Sequence, residues 1–249
     1  ALTTAELGKQ LAGRWPAIDA DVLAYAVRYL EPVVQVPPRG EWRRSGAPRW
    51  TTLTAAIGER SAQPGGLDRL VARYLAAFGP ASVNDAQTWS WLTRLRAVFE
   101  RLRPSLRVFR DEAGHELFDL PDAPRPPADS PAPVRFLGQY DNVMLSHADR
   151  SRIVADGDRH RLYERLNLGV ATFLVDGFVA GQWRLRREGG GPVMRVVPLA
   201  PLDSHDATVV QDEAARVVAY LHDEPGDVRL LDPGSDITGG DGIAAEAVS

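Results

Sequence analysis

The hydrophobic pattern of the chain is clearest over residues 67–120, where five elements follow one another. Apolar residues recur at helical spacing over 67–78, and Ser82 is placed to cap a short second helix. Helical spacing resumes at Thr93, which predicts a third helix that ends before Pro104.

Alternating apolar residues follow the third predicted helix. They predict a strand over 106–109, a turn over 111–114 and a return strand over 116–120. Three helices followed by a β-hairpin are the pattern of a winged helix-turn-helix. We assign this module to residues 61–120.

Residues 1–60 resemble a second, incomplete copy of the same module. Thr3 or Thr4 is predicted to cap a first helix, with Glu6 placed for a capping box with Thr3, and Asp19 is predicted to cap a second helix. One helix of the three is missing, because only two residues precede the Thr3 cap. Either the chain is a fragment of a longer protein, or another segment covers the apolar faces that this leaves open.

An Arg-rich connection joins two strands that are predicted at residues 33–36 and 50–53. Four arginines close to a Gly-Pro-rich loop form a good patch for DNA phosphates. Two tryptophans interleave with them, and we interpret both as anchors of the wing in the core rather than as base-stacking platforms. The arginines are Arg39, Arg43, Arg44 and Arg49, and the tryptophans are Trp42 and Trp50.

Arginines also follow the third predicted helix of residues 61–120. A helix that enters the major groove would use such side chains for phosphates and guanine edges. The alternative is a solvated helix face on a module that packs or binds protein. The candidates for DNA contact here are Arg94, Arg96 and Arg101.

The second half of the chain has a different pattern. Residues 121–133 contain six prolines and are predicted to be a stiff connector. Over 134–221, short apolar segments (143–145 among them) and Gly-rich turns predict an antiparallel β domain, closed into a small barrel and completed by a helix over 207–221. The acidic residues 222–249 are predicted to be disordered. The fold class is therefore α+β, with tandem winged helix-turn-helix modules before a small antiparallel β-barrel-like domain.

One polar cluster interrupts the apolar pattern of the predicted β domain. It contains Asp141 and Asn142, with His147 and Arg150 close by in the sequence. These residues could form a binding or catalytic site. The interpretation that we favour is structural, with Asp141 accepting hydrogen bonds from turn amides and orienting Arg150.

The net charge of the chain is −4, which does not by itself suggest a nucleic-acid partner. The acidic residues are concentrated at the end, however. Seven carboxylates and one arginine lie beyond residue 221, so about +2 remains for residues 1–221. Binding to DNA would therefore depend on local patches rather than on the field of the whole protein.

Several classes of site are excluded by composition and spacing. The chain has no cysteine, its five histidines are scattered, and it has no Gly-rich phosphate loop. We therefore expect no metal and no cofactor. No apolar run approaches 18 residues and no signal peptide is evident, so we expect no membrane contact and a cytoplasmic location, with the nucleoid as the site if DNA is bound.

Four segments carry a resemblance to a known family. They read GLDRLVARYLAAFGPASVNDAQTWSWLTRLRAVFERL from Gly66, ELFDLPDAP from Glu116, PAPVRFLGQYDNVMLSHADR from Pro131 and VDGFVAGQWRL from Val175. Over residues 1–221 the chain resembles the C-terminal part of the winged-helix DNA-binding domain family that includes the AlkZ and YcaQ-like DNA glycosylases. The resemblance implies tandem winged helices followed by a β-barrel.

The same resemblance implies a catalytic Gln-apolar-Gln or Gln-apolar-Asp motif in an N-terminal winged helix, which we expect to precede the residues of this chain. The segment 139–141 (Gln-Tyr-Asp) has matching letters but lies at the entrance of the predicted barrel, so we assign it no catalytic role. Our leading hypothesis is a winged-helix protein that binds double-stranded DNA, is related to DNA-repair glycosylases and is non-catalytic as given. The alternatives are an alkyl-adduct or crosslink DNA glycosylase whose catalytic motif lies further upstream, and a scaffold that binds protein or a small molecule. No feature of the sequence predicts the oligomeric state.

Overall fold

The computed structural model describes residues 1–58, 66–155, 170–222 and 224–237. The chain divides into two compact units. Among the described residues, 1–58 belong to the first unit and those from 66 to 237 to the second. The fold is mixed, with helices and sheets in both units, which agrees with the α+β class that the sequence predicts.

The first unit contains three helices and a small sheet. Its helices are α1 (Thr4–Ala12), α2 (Ala20–Leu30) and α3 (Leu53–Ile57), and its strands are β1 (Leu2–Thr3), β2 (Val33–Val36) and β3 (Arg49–Thr52). The strands lie in the order β1-β3-β2, and both pairings are antiparallel. Strand β1 and helix α3 had no signal in the hydrophobic pattern, because each is too short to show a period.

The predicted caps of the first unit are confirmed. The Thr3 side chain accepts the Glu6 N–H at 3.2 Å, and the Glu6 carboxylate accepts the Thr3 N–H at 2.8 Å, which completes the capping box. Asp19 accepts the N–H groups of Asp21 and Val22 at the start of α2. Helix α2 leaves several large apolar side chains exposed: Val22, Tyr25, Tyr29 and Leu30.

The second unit begins with a segment that we call the helix–hairpin module, residues 66–120. It contains α4 (Gly66–Phe78), α5 (Val83–Ser90), α6 (Arg96–Leu102), a short 3-10 turn (Arg103–Ser105) and the antiparallel hairpin of β4 (Arg107–Arg110) and β5 (Glu116–Asp119). The element order is the predicted one. Its core consists of side chains from all three helices and from β5, among them Tyr74, Leu75, Leu95, Phe99 and Phe118.

The third helix of this module begins three residues later than predicted. Trp91 and Arg94 have φ values of 60° and 63°, a left-handed conformation that a helix cannot include. The Leu95 N–H donates to the Gln87 side chain at 3.0 Å rather than to a helical carbonyl. The first regular residue is therefore Arg96.

The rest of the second unit is a five-stranded sheet with a long helix. Its strands are β6 (Arg135–Leu137), β7 (Thr172–Val175), β8 (Phe178–Glu188), β9 (Gly191–Pro198) and β10 (Asp227–Leu230), in the order β10-β9-β8-β7-β6. Helix α8 (Ser204–His222) packs on one face, with Val210, Ala214 and Val218 against Phe173, Met194 and Val196. A short helix, α7 (Asn142–Leu145), lies between β6 and β7 in the sequence.

Several predictions for the second half of the chain are wrong. The five described strands form an open sheet with β6 and β10 at its edges rather than a closed barrel, and β10 pairs with β9 in parallel, so the sheet is not wholly antiparallel. Residues 143–145 are helical, because Asp141 caps them as α7. The acidic tail is not disordered throughout, since Val228 and Leu230 of β10 pack into the core of the sheet. The part of that tail beyond residue 237 lies outside the described residues.

Candidate nucleic-acid interface

The connection between β2 and β3 presents arginines to solvent. Arg39, Arg43 and Arg44 are exposed, and Glu41 is the one acidic residue among them in the sequence. The loop is attached to its own strand, because the Gln35 side chain donates to the Arg39 carbonyl at 3.0 Å. Arg44 lies 3.8 Å from the Glu41 carboxylate, a distance that leaves most of its charge to solvent.

The two tryptophans of this region have different environments. Trp50 is half-buried in β3, with the Arg28 guanidinium 4.7 Å above its ring centre, so its predicted role as an anchor agrees with its position. Trp42 is 58% exposed, and the Arg43 guanidinium lies 5.7 Å from its ring centre. The prediction that Trp42 is buried in the core is therefore wrong. The loop instead carries an aromatic ring beside its cations.

Arg49 has an intramolecular role. Its guanidinium donates to the Glu6 carboxylate at 3.1 Å and to the Ala1 carbonyl at 3.0 Å, which links β3 to the capping box of α1. A hydrogen bond to the Thr3 backbone, with the Arg49 charge as a lesser cause, lowers the pKa of Glu6. Arg49 therefore links β3 to α1 through carboxylate and carbonyl partners within the first unit.

The arginines of the helix–hairpin module also differ from one another. Arg101 forms a two-pronged ion pair with Asp68 of α4, so it holds α6 against α4. Arg94 and Arg96 are exposed at the start of α6. The same turn contains Trp91, an exposed side chain that we did not single out from the sequence. The sequence did indicate that one of the two tryptophans is exposed. Trp89 and Trp91 are two residues apart, and residues at that spacing lie on nearly opposite sides of a helix, so both could not be buried on one face.

The residues of the predicted cluster around Asp141 have different environments. The Asp141 carboxylate accepts the Val143 N–H at 2.9 Å and so caps α7, while Asn142 is exposed as the first residue of that helix. Arg150 is partly buried in the following turn. These positions agree with the structural interpretation of Asp141 as an acceptor for turn amides.

His147 is buried against the helix–hairpin module. Its Nε2 lies 3.0 Å from the Phe78 carbonyl, and its Nδ1 lies 2.9 Å from the Ser146 hydroxyl. Burial, followed by the positive charge of Arg152, lowers the pKa of His147. The neutral ring therefore donates through Nε2 and accepts through Nδ1, a role in packing two parts of the second unit together.

One face of the large sheet carries a row of arginines that sequence reasoning missed. Arg184 pairs in register with Arg195, which pairs in register with Arg229, so the three lie side by side on the face opposite α8. Glu188 lies 2.9 Å from Arg195 and 2.8 Å from Arg229. Burial, followed by the neighbouring charge of Arg186, lowers the pKa of Arg184. Only the strand register could bring these residues together.

Two further properties bear on the kind of site. Within the described ranges, no group of three or more His, Asp or Glu side chains is arranged to hold a metal ion. No helix in this part of the chain combines the length and apolarity that crossing a membrane requires. The features that remain as candidates for a macromolecular interface are the exposed arginine and tryptophan side chains of the β2–β3 loop and of the turn before α6.

Comparison with known proteins relates these features to a family. No curated protein matches the chain. Among solved structures, the Streptomyces sahachiroi DNA glycosylase AlkZ is similar, with a TM-score of 0.66 and 20% sequence identity over 92% of this chain and 65% of that one. The chain thus spans about two thirds of the AlkZ structure and shares its fold. The family described as DNA glycosylase AlkZ-like matches residues 1–220, nearly nine tenths of the sequence. On that match, the chain belongs to the AlkZ-like DNA glycosylase family.

Proposed function

We propose that this chain binds double-stranded DNA through two winged-helix modules, as part of a protein of DNA-repair glycosylase type. The observation that carries the proposal is the β2–β3 loop, on which Arg39, Arg43 and Arg44 are exposed beside a single acidic residue. Guanidinium groups match phosphate oxygens in geometry and charge. In a winged helix, the loop between the two final strands is the wing, which lies next to the DNA backbone.

A second contact is proposed at the start of α6. In a winged helix this is the recognition helix, and its N-terminal residues are the ones that meet base edges and phosphates. Arg94 and Arg96 are exposed there. Arg101, although on the same helix, is paired with Asp68 and contributes mainly to holding α6 in place.

The test is a binding measurement over a series of salt concentrations. Fluorescence anisotropy with a labelled duplex of about 20 base pairs should show affinity that falls as salt rises, with a slope of roughly 0.9 per phosphate contacted. The double variant Arg43→Ala/Arg44→Ala should weaken binding equally for duplexes of different sequence and lower that slope by about two.

Arg216→Ala provides a matched control. Arg216 is an exposed arginine on α8, and its loss removes one positive charge from another surface, as each single substitution at Arg43 or Arg44 removes one from the loop. Unchanged binding by the Arg43/Arg44 variant would remove the β2–β3 loop from the interface. Affinity of the unaltered chain that does not depend on salt would reject DNA binding and favour a scaffold that binds protein or a small molecule.

Glycosylase activity is the second candidate function, supported by membership of the family. In this reaction water replaces a damaged base at the sugar carbon, the N-glycosidic bond breaks, and an abasic site remains. The assay measures abasic sites on alkylated DNA after alkaline strand cleavage. Because the chain covers 65% of the AlkZ structure, both this chain and the complete product of its gene are assayed. Activity in neither would reject this function without affecting DNA binding.

A further inference from the structure

The turn between α5 and α6 exposes an unusually large apolar surface. Trp91 is 93% exposed, so nearly its whole indole ring lies in water. Its backbone has φ 60°, a left-handed conformation that is unfavourable for a bulky side chain. Exposure and backbone strain both cost free energy in the isolated chain. Strained residues of this kind cluster at binding sites, where the surrounding structure holds them in place.

The surrounding structure does hold this turn in place. The Ser90 hydroxyl donates to the Ala86 carbonyl at 2.6 Å and accepts the Leu92 N–H at 3.3 Å. Beyond Trp91, the Gln87 side chain accepts the Leu95 N–H at 3.0 Å, and the Leu95 side chain is fully buried. Side chains on both sides of Trp91 therefore fix its backbone, and its direction into solvent is part of the folded structure.

The neighbouring Trp89, unlike Trp91, packs against other side chains. Trp89 lies 5.1 Å from Tyr74 and 5.9 Å from Phe78, measured between ring centres, and belongs to the core of the helix–hairpin module. Trp91, two residues away, does not contribute to that core. The module therefore uses one of its two tryptophans for stability and presents the other to solvent.

The charge around Trp91 indicates the kind of partner. From Ala86 to Phe99 the sequence has two arginines, Arg94 and Arg96, and no carboxylate, and Glu100, which follows, is paired with Arg103. An indole ring beside two guanidinium groups suits a nucleic acid, in which flat bases alternate with phosphates. The start of α6 is also where the proposed function places a DNA contact.

We infer that Trp91 stacks on a nucleobase that is unpaired or displaced from the duplex, while Arg94 and Arg96 contact the flanking phosphates. This inference rests on the proposed function and adds a specificity to it, namely a preference for DNA with a base out of the stack. Such DNA is what a protein that acts on damaged bases must recognise or create.

The experiment compares two labelled duplexes that differ by one unpaired adenine in the middle of one strand. We expect the unaltered 249-residue chain to bind the bulged duplex more tightly than the fully paired one. Trp91→Ala should lose roughly fivefold to 150-fold in affinity for the bulged duplex, the range that corresponds to removing one base–aromatic stack. Its affinity for the paired duplex should change less than about threefold. Trp91→Phe, which keeps an aromatic ring, should lose less than Trp91→Ala.

Two further variants separate binding from stability. Tyr220→Ala removes an exposed aromatic ring from α8 and should leave both affinities unchanged. Trp91→Gly relieves the left-handed conformation and should keep or raise the melting temperature of the chain while losing the preference for the bulge. A lower melting temperature for Trp91→Gly would assign Trp91 a structural role and overturn the inference.

The outcomes distinguish this inference from the function on which it rests. Salt-dependent binding to the paired duplex, together with equal affinities of Trp91→Ala and the unaltered chain for the bulged duplex, would overturn the inference and leave the proposed function intact. Failure of the unaltered chain to bind either duplex would overturn both.

Discussion

The Asp85 carboxylate accepts a hydrogen bond from the Ala148 backbone N–H at 2.9 Å, although 63 residues separate the two in the chain. Its other oxygen accepts the N–H and the hydroxyl of Ser82 at the start of α5. Asp85 is 4% exposed. One buried carboxylate therefore caps a helix of the helix–hairpin module and holds the segment that leads into the sheet.

Asp85→Ala is expected to lower the free energy of unfolding by about 2–4 kcal/mol, because it leaves several buried donors without an acceptor. Urea denaturation followed by circular dichroism measures this change. Asn84→Ala, at the exposed neighbouring position, should change the same quantity by less than about 0.5 kcal/mol. An equally small effect for Asp85→Ala would mean that water replaces all its bonds.

Stability should fall in mildly acidic solution because of His147. Its pKa is lowered in the folded protein, chiefly by burial, so the unfolded chain binds the proton more readily. This contribution to stability is fully present above the ordinary histidine pKa of about 6.5 and is lost as the pH falls below it, until the lower folded pKa is passed. The slope for one proton is at most about 1.4 kcal/mol per pH unit.

His147→Gln tests this pH dependence, since an amide can donate to the Phe78 carbonyl without titrating in this range. The variant should show a flatter dependence of the unfolding free energy between pH 7 and pH 5. His205→Gln, an exposed position on α8, should keep the slope of the unaltered chain. A slope that His147→Gln does not reduce would assign the effect to other groups.

Gly181 lies where β8 leaves no room for a side chain. An added Cβ would collide with the Phe173 ring and with the Val197 carbonyl, one of them a rigid aromatic and the other backbone. Gly181→Ala is therefore expected to destabilise the sheet by about 1–3 kcal/mol, the usual cost of overpacking a core. Gly138→Ala, where a Cβ would meet open space, should be neutral or slightly stabilising. Thermal unfolding of both variants gives the comparison.

Glu188 is expected to hold together the row of arginines on the sheet. Its hydrogen bond from Arg195, and the charges of Arg195 and Arg229, lower its pKa, so it is ionised wherever the protein is folded near neutral pH. Glu188→Gln should lower the melting temperature, because two arginines in register lose their shared counter-charge. Adding Arg229→Ala to Glu188→Gln should restore part of the loss. If the second change lowers stability further, repulsion between the arginines is not the cause.

The local elements of this protein could be read from its sequence. Thr3, Asp19 and Ser82 each cap a helix as predicted, since a capping side chain acts on amides two or three residues away. The Asp176-Gly177 turn joins β7 and β8 with both residues at positive φ, the conformation that an Asp-Gly hairpin turn favours. The exposure of Arg39, Arg43 and Arg44 in the β2–β3 loop was also accessible to sequence reasoning, because cations so close together have few ways to be buried.

Tertiary structure decided the relationships between distant residues. The sheet is open rather than closed because β10 adds to β9 at the edge. The sequence gives little sign of a strand within the acidic tail, and only the packing of Val228 and Leu230 against the core of the sheet defines β10. Partners distant in the sequence decided which arginines hold elements together, as Arg101 of α6 does with Asp68 of α4. Likewise, the fold packed Trp89 against the core and left Trp91 in solvent. Short-range hydrogen bonds and hydrophobic periodicity depend on residues that are close in the sequence. Burial and charge pairing depend on which distant residues the fold brings into contact.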